Sequence, residues 1–170
     1  IYQNYHDNEW GVPVYEDQKL FEMLILEGFQ AGLSWLTILK KREHFRKAFN
    51  YFDVACIAAY DEDKITELMQ NKGIVRNRRK ICAAIQNAKV FLAIQKEYGT
   101  FSEYLWGFTN HQVQYLQDKE MPVTTPLSDS ISKDLKKRGM KFVGSTIIYS
   151  YLQAVGVVHD HHKGCFLHVD

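Results

Sequence analysis

Apolar residues recur along most of this chain at intervals of three and four positions, the spacing that places them on one face of an α-helix. Leu20, Phe21, Leu24 and Ile25 form one such series. Alternation of apolar and polar residues, which would indicate half-buried strands, does not extend over a convincing length. The pattern therefore predicts an all-α protein.

Residues that commonly cap helices, together with glycines, divide this pattern into segments. Asp17 is expected to cap a helix that Gly28 ends, and Ser34 to cap the next, which runs to about Phe49. Further helices are predicted after Asp53, after Asp61 to near Gly73, over 76–98 with Gly99 as its end, after Ser102, over 131–137 with Ser128 as cap, and over 146–155. The segment 109–126 contains two of the three prolines and is predicted to be the longest loop.

The last two predicted helices form a helix-hairpin-helix pattern at about 128–156, with Gly139 and Gly144 bounding the connection. The second helix begins after Gly144 and Ser145, and the unpaired N–H groups and positive dipole at its N-terminus form a suitable binding site for a DNA phosphate. Lys141 and the basic residues 136–138 flank this phosphate-binding site. An ordinary helical hairpin with surface lysines would show the same pattern.

Length and composition limit the class of protein. With 170 residues and 46% apolar content, the chain can bury one core, which predicts a single domain over 1–170, undivided or built of two helical lobes. The longest apolar runs are far too short to cross a bilayer, and no signal-peptide pattern is present, so we expect a cytoplasmic protein without a membrane partner. An odd count of three cysteines argues for reduced thiols.

The charge distribution is more informative than the net charge of only +1. Basic residues gather at 40–42, at 76–80 and at 136–141. Such clusters can line a phosphate backbone, although solvated helix faces carry similar clusters.

Three residues near the chain ends are candidate metal ligands: His6, His161 and Cys165. The H-x3-C spacing of the last two lets an imidazole and a thiolate reach one ion, and mixed nitrogen and sulfur ligands favour zinc. The alternative is a histidine-rich polar tail that binds metal only fortuitously.

Glu27 is the strongest candidate for chemistry because it closes a strongly apolar helix. A carboxylate is costly to bury without a partner, so it either reaches water or holds a polar or cationic group. Four aromatic residues near it could build a flat-walled pocket: Tyr2, Tyr5, Trp10 and Trp35. Such a pocket suits a flat cationic heterocycle, whereas core packing is the common alternative for each aromatic residue.

Three segments together resemble the DNA-3-methyladenine glycosylase I family: YHDNEWGV at 5–12, LEGFQAGLSW at 26–35 and KKRGMKFVG at 136–144. The resemblance runs from about Tyr2 to Cys165. It implies a helix-hairpin-helix glycosylase that flips 3-methyladenine out of double-stranded alkylated DNA and releases the free base by hydrolysis. No lysine is clearly placed as a nucleophile, which favours an enzyme without lyase activity.

The resemblance also assigns roles to individual positions. Glu27 resembles the acid that recognises the base, Tyr5 and Trp35 resemble the stacking walls, and Tyr2 and Trp10 resemble further pocket residues. Gly32 and Leu33 resemble the loop that enters the duplex, where an apolar side chain fills the gap left by the base; otherwise Leu33 is a core leucine.

The resemblance further implies that His6, His161 and Cys165 bind a structural zinc ion that joins the termini. The family's fourth ligand, a cysteine upstream of His6, and the tryptophan after it are not among these residues. Either upstream residues are missing or the fourth position is open or substituted.

Two other functions stay open at this point. A hydrolase could use an open position on the zinc ion to activate water, and a noncatalytic protein could bind DNA damage through the hairpin alone. Asp160, beside a proposed ligand, is expected to have a supporting role. A monomer is expected because one small nucleic-acid site needs no partner subunit.

Overall fold

The computed structural model describes residues 1–116 and 122–160. Within these ranges the chain is mostly helical, as predicted. The α-helices are α1 (Tyr2–Asn8), α2 (Asp17–Gln30), α3 (Trp35–Ala48), α4 (Val54–Ala58), α5 (Glu62–Met69), α6 (Arg78–Tyr98), α7 (Phe101–Gly107), α8 (Pro126–Lys137) and α9 (Ser145–Ala154), and a 3-10 helix spans Asn50–Phe52.

Two strands of two residues each add a small sheet that the sequence did not predict. Strand β1 (Gln114–Tyr115) pairs in parallel with β2 (Val158–His159), with Gln114 opposite Val158. Two residues are too few to show alternation, so the periodicity carried no signal for them. The predicted loop at 109–126 therefore contains a strand, and residues 117–121 of it lie outside the described ranges.

Helix α2 lies at the centre of the core. Every residue from Leu20 to Glu27 is buried, and the helix contacts α3, α6, α7 and α9. A helix that is apolar on nearly all sides belongs in the interior, whereas a one-sided pattern belongs at the surface. Because Glu27 belongs to this interior helix, the fold places a carboxyl group inside the protein.

Several predicted caps are confirmed because they depend only on residues three positions away. The side chains of Ser34, Asp53 and Asp61 accept hydrogen bonds from the backbone N–H groups of Thr37, Cys56 and Lys64. Gly99 ends α6 with a φ of +89°, a conformation that costs glycine little.

Other caps were predicted wrongly. Helix α2 continues through Gly28 to Gln30, and its N-cap is Glu16. Thr100 caps α7 in place of Ser102. Thr125 caps α8, while Ser128 three residues later bonds back to the Thr125 N–H, so the two residues form a capping box.

Asp17 instead joins two distant elements. Its carboxylate accepts hydrogen bonds from the N–H groups of Phe101 and Ser102, at 2.8 and 2.9 Å, and from the side chain of Gln95 at 2.8 Å. It thereby satisfies the first free amides of α7 and holds that helix against the start of α2.

The two ends of the described chain meet. The Gly11 N–H bonds to the Ala154 carbonyl at 3.3 Å, and the Val14 N–H bonds to the Val155 carbonyl at 2.9 Å. Gly156 has a φ of +77°, and a Cβ added there would lie 2.4 Å from the backbone nitrogen of Pro13. A side chain at position 156 would thus disrupt this junction.

Among the described residues, no helix combines the length and apolar character needed to cross a membrane. Cys56 and Cys82 are free thiols, in agreement with the prediction, and Cys165 lies outside the described residues.

Candidate functional site

Glu27 lies near the end of α2 and is only 4% exposed. None of the hydrogen bonds found among the described residues involves its carboxyl group. Burial raises the pKa of Glu27 to about 8, because desolvation disfavours the charged form. The group is therefore mainly protonated at neutral pH in the free protein, and a cation or a hydrogen-bond donor placed beside it would favour ionisation.

Tyr5 of α1 and Trp35 of α3 lie together, with ring centroids 5.6 Å apart and ring planes inclined by 47°. The Tyr5 hydroxyl and the Trp35 indole N–H are both buried and have no hydrogen-bond partner of good geometry among the described residues. Burial raises the pKa of Tyr5, and the negative charge of Glu27 raises it further. The structure thus brings Tyr5 together with both Trp35 and Glu27.

Unpaired buried polar atoms are unusual, and each costs about 1–3 kcal/mol. Among the described residues, two such atoms belong to the adjoining side chains of Tyr5 and Trp35, and Tyr5 lies close enough to the desolvated carboxyl group of Glu27 to be affected by its charge. A planar ligand that carries donors and acceptors would stack on the rings and pair these atoms. The arrangement therefore favours a binding pocket over an inert part of the core.

The other two predicted pocket residues are placed differently. Tyr2 is 54% exposed and lies one helical turn before Tyr5. Trp10 is half-buried and stacks on His6, with ring centroids 5.7 Å apart. The described contacts thus associate Trp10 with a predicted metal ligand.

An ion-pair cluster that the sequence reasoning missed fixes α1 against α3. The Arg42 guanidinium donates two hydrogen bonds to the Glu9 carboxylate, at 2.7 and 2.8 Å, and lies 5.9 Å from the centroid of the Tyr5 ring. Lys19 donates a third bond to Glu9 at 3.2 Å. Glu9 and Arg42 are 33 residues apart, and nothing in the local sequence signals that they pair.

The loop after α2 exposes an apolar side chain. Leu33 is 38% exposed, which excludes the alternative of a core leucine, and Gly32 has a φ of +80°. Gln30 donates to the Leu33 carbonyl at 2.7 Å, and Lys80 donates to the Ala31 carbonyl at 2.6 Å. This loop is fixed from two sides, although its tip lies at the surface.

The other residues predicted to bind DNA, Lys141, Gly144 and Ser145, lie in the turn between α8 and α9 and at the first residue of α9. Gly144 is the N-cap of α9, and a Cβ added there would meet no atom within 4 Å. Lys141 is exposed. The Ser145 hydroxyl donates to the Asp129 carboxylate at 2.5 Å and lies 2.8 Å from the Ser128 hydroxyl. The side chain predicted to bind DNA is therefore already hydrogen-bonded within the protein.

The basic clusters are partly neutralised by intramolecular ion pairs. Arg42 pairs with Glu9, Arg78 pairs with Glu62, and Arg138 pairs with acidic residues of α6 and α8. The composition of these clusters therefore overstates the cations they offer to a phosphate backbone.

Of the predicted metal ligands, only His6 is described; His161 and Cys165 lie outside the described residues. The Nδ1 atom of His6 is 3.1 Å from the Asp7 carboxylate. Among the described residues no group of three or more potential ligands is gathered. Asp160 is 5% exposed and accepts hydrogen bonds from Tyr149 at 2.5 Å and Gln153 at 3.2 Å, which ties it to α9.

Comparison with known proteins bears directly on this site. A family model described as methyladenine glycosylase matches residues 1–168. The chain is 51% identical to DNA-3-methyladenine glycosylase 1 of Escherichia coli (strain K12) over 97% of its own length and 90% of the relative's. It is 47% identical to the DNA-3-methyladenine glycosylase of Haemophilus influenzae, over 97% and 91% of the two chains.

Solved structures agree with these matches. A crystal structure of 3-methyladenine DNA glycosylase I has a TM-score of 0.95 at 51% identity, over 99% of this chain and 94% of that one. A structure of the Staphylococcus aureus protein that concerns 3-methyladenine recognition has a TM-score of 0.95 at 38% identity, over 99% and 92%.

Proposed function

The chain belongs to the methyladenine glycosylase family, and on this premise we propose that it removes 3-methyladenine from alkylated double-stranded DNA as the first step of base-excision repair. The products are the free base and an abasic site. Water rather than a lysine is the proposed nucleophile, so we expect a monofunctional enzyme without lyase activity.

The observation that carries this proposal is the cluster of Tyr5, Trp35 and Glu27, which has buried polar atoms that no described residue pairs. Methylation at N3 gives the adenine a positive charge, which makes the base a good neutral leaving group. The aromatic faces attract a cationic ring, and the Glu27 carboxylate can accept hydrogen bonds from its edge. Since cation binding favours the ionised carboxylate, the buried acid selects a charged base.

Leu33 and the turn before α9 supply the contacts that base extrusion needs. Leu33, exposed at the tip of the loop, fills the space that the flipped base leaves in the duplex. The turn over 138–144 acts as a helix-hairpin-helix element, in which the first amides of α9 after Gly144 bind a phosphate and Lys141 adds positive charge. These contacts hold the nucleotide while water attacks the sugar.

The test is release of free base from alkylated duplex DNA, resolved by chromatography. We expect the unaltered chain to release 3-methyladenine, and Glu27→Gln to release much less. Glu22→Gln is the matched control, because Glu22 is a buried acid of the same helix whose charge Arg46 and Lys19 pair. If folded protein bound the duplex but released no base, a noncatalytic damage-binding function would replace this proposal.

We also propose that zinc has a structural role here, with His6, His161 and Cys165 as ligands. Two observations support it: the Asp7 carboxylate beside Nδ1 of His6 is the kind of partner that orients metal-binding histidines, and residues 11–14 already join residues 154–155. The ion would cross-link the chain ends without taking part in hydrolysis. Metal analysis tests this, because His6→Ala should lower the zinc content of the purified protein.

We expect the protein to act as a cytoplasmic monomer, since a single pocket with one duplex-binding face requires no second subunit. Sedimentation of the protein with and without a short duplex checks this prediction.

A further inference from the structure

Helix α6 holds both of the elements proposed to contact DNA, the loop over 31–34 and the hairpin turn over 138–144. The inference drawn from this rests on the proposed function. Two buried polar side chains of α6 make the connections, Lys80 at 8% and Asn87 at 5% exposure.

Lys80 fixes the end of α2 and the start of the loop. Its ammonium group donates to the Phe29 carbonyl at 2.9 Å and to the Ala31 carbonyl at 2.6 Å. The last carbonyls of a helix have no intrahelical donor and carry partial negative charge, so a lysine is well suited to this position. Leu33 lies only two residues beyond the second carbonyl.

Asn87 fixes the hairpin turn in a similar way. Its side-chain amide donates to the Lys141 carbonyl at 2.9 Å and accepts from the Lys141 N–H at 2.8 Å. Both backbone groups of one residue are thereby bound to a single side chain. On the opposite side of the turn, Ser132 of α8 donates to the Val143 carbonyl at 2.6 Å.

The spacing of Lys80 and Asn87 on α6 sets the distance between the loop and the hairpin turn that they hold. Lys80 and Asn87 are seven residues apart, which is two helical turns on one face and about 10 Å along the axis. Between them, the turn packs on α2: a Cβ added at Gly28 would lie 3.6 Å from the Cβ of Phe142. The void that remains, lined by both polar residues among others, has a volume of only about 10 Å³, room for about one water molecule.

We propose that Lys80 and Asn87 are positioning residues for base excision. Through α6 they set the distance between the loop that enters the duplex and the turn that binds the phosphate, and neither contacts the base. A nucleotide can be extruded into the pocket only when both elements engage the DNA in the correct relative position.

The experiment compares two activities of Lys80→Met and Asn87→Leu, which remove the hydrogen bonds but preserve much of the side-chain volume. The first is the affinity for free 3-methyladenine, followed by tryptophan fluorescence, and the second is the single-turnover rate of excision from alkylated duplex DNA. Lys89→Met is the matched control, because Lys89 is an exposed residue of the same helix.

We expect affinity for the free base to stay within about twofold of the control. Excision should slow by about tenfold to 100-fold, because a shift of about 1 Å in the position of the reacting nucleotide can slow a reaction by that much. The double variant should lose less than the product of the two single effects, because both changes disturb one spacing. Rates are measured well below the unfolding midpoint of each variant. Ser132→Ala, which removes one hairpin bond and little volume, should also slow excision but by less.

Two results would overturn the proposal: excision rates equal to that of Lys89→Met, or a parallel loss of free-base affinity, which would show that the residues support the pocket itself. Failure of the proposed function looks different, because then neither the unaltered chain nor Lys89→Met would release 3-methyladenine.

Discussion

Replacing Glu27 by glutamine should change how the stability of the protein depends on pH. The folded protein holds the Glu27 proton with a pKa of about 8, whereas the ordinary value of 4.5 applies to the unfolded chain. Between these two values the folded state binds more protons than the unfolded state, so the free energy of unfolding falls as the pH rises. Glutamine has nearly the same shape and does not titrate in this range.

The magnitude follows from the two pKa values. One unit of pKa difference corresponds to about 1.4 kcal/mol, so this carboxyl group alone should lower the free energy of unfolding by about 4 kcal/mol between pH 5 and pH 9. The difference in stability between the unaltered chain and Glu27→Gln should therefore change by that amount, in favour of the variant at high pH.

Urea unfolding followed by circular dichroism at pH 5, 7 and 9 measures this difference. Glu22→Gln is the control. Burial alone would raise the pKa of Glu22, but the bonds from Arg46 and Lys19 outweigh burial and lower it. Since Glu22 is then ionised in both states above about pH 6, its stability difference should stay constant from pH 7 to pH 9. A difference for Glu27→Gln that varied by less than about 1 kcal/mol from pH 5 to pH 9 would refute the assignment of Glu27 as a desolvated acid.

Three further substitutions test separate parts of the site and fold. Tyr5→Phe should weaken binding of free 3-methyladenine about fivefold, the value of one hydrogen bond, as measured by fluorescence titration. The urea midpoint should change little, because the hydroxyl has no partner of good geometry among the described residues. Leu33→Ala should slow single-turnover excision from duplex DNA and leave free-base affinity unchanged; equal losses in both would place Leu33 in the pocket. Gly156→Ala should lower the free energy of unfolding by about 2 kcal/mol or more, because it adds a contact with Pro13 to the strain of a positive φ. Gly99→Ala is the control, because Gly99 has a similar φ but open space around it. The additional loss of stability for Gly156→Ala in thermal unfolding therefore measures the effect of the contact with Pro13.

Local signals in the sequence predicted the helices well, and long-range contacts explain the errors. Ser34, Asp53 and Asp61 each cap the helix that begins beside them, so the sequence window contains the whole interaction. Asp17 has the same local appearance, but its carboxylate serves α7, more than eighty residues later. No window around residue 17 contains that partner.

In the candidate site, too, the residues with a local signal could be predicted and those that depend on long-range contacts could not. Glu27 could be singled out because a carboxylate within an apolar helix is unusual, and Tyr5 and Trp35 because they are aromatic residues near it in the sequence; the resemblance added their role as stacking walls. The residues that hold the site could not be found in this way. Lys80 looked like a member of a surface basic cluster, yet it is buried against the end of α2.

The junction between residues 11–14 and residues 154–155 has a consequence for synthesis of the protein on the ribosome. Chain growth proceeds from the N-terminus, so α1 and Tyr5 are made well before α9, and the backbone partners of the segment that follows α1 are among the last described residues to appear. A nascent chain that ends before α9 has the acid of the pocket without the contacts that fix the segment after α1. A chain that includes α9 and Val155 is therefore the first form in which the segment after α1 can be held in place beside the pocket.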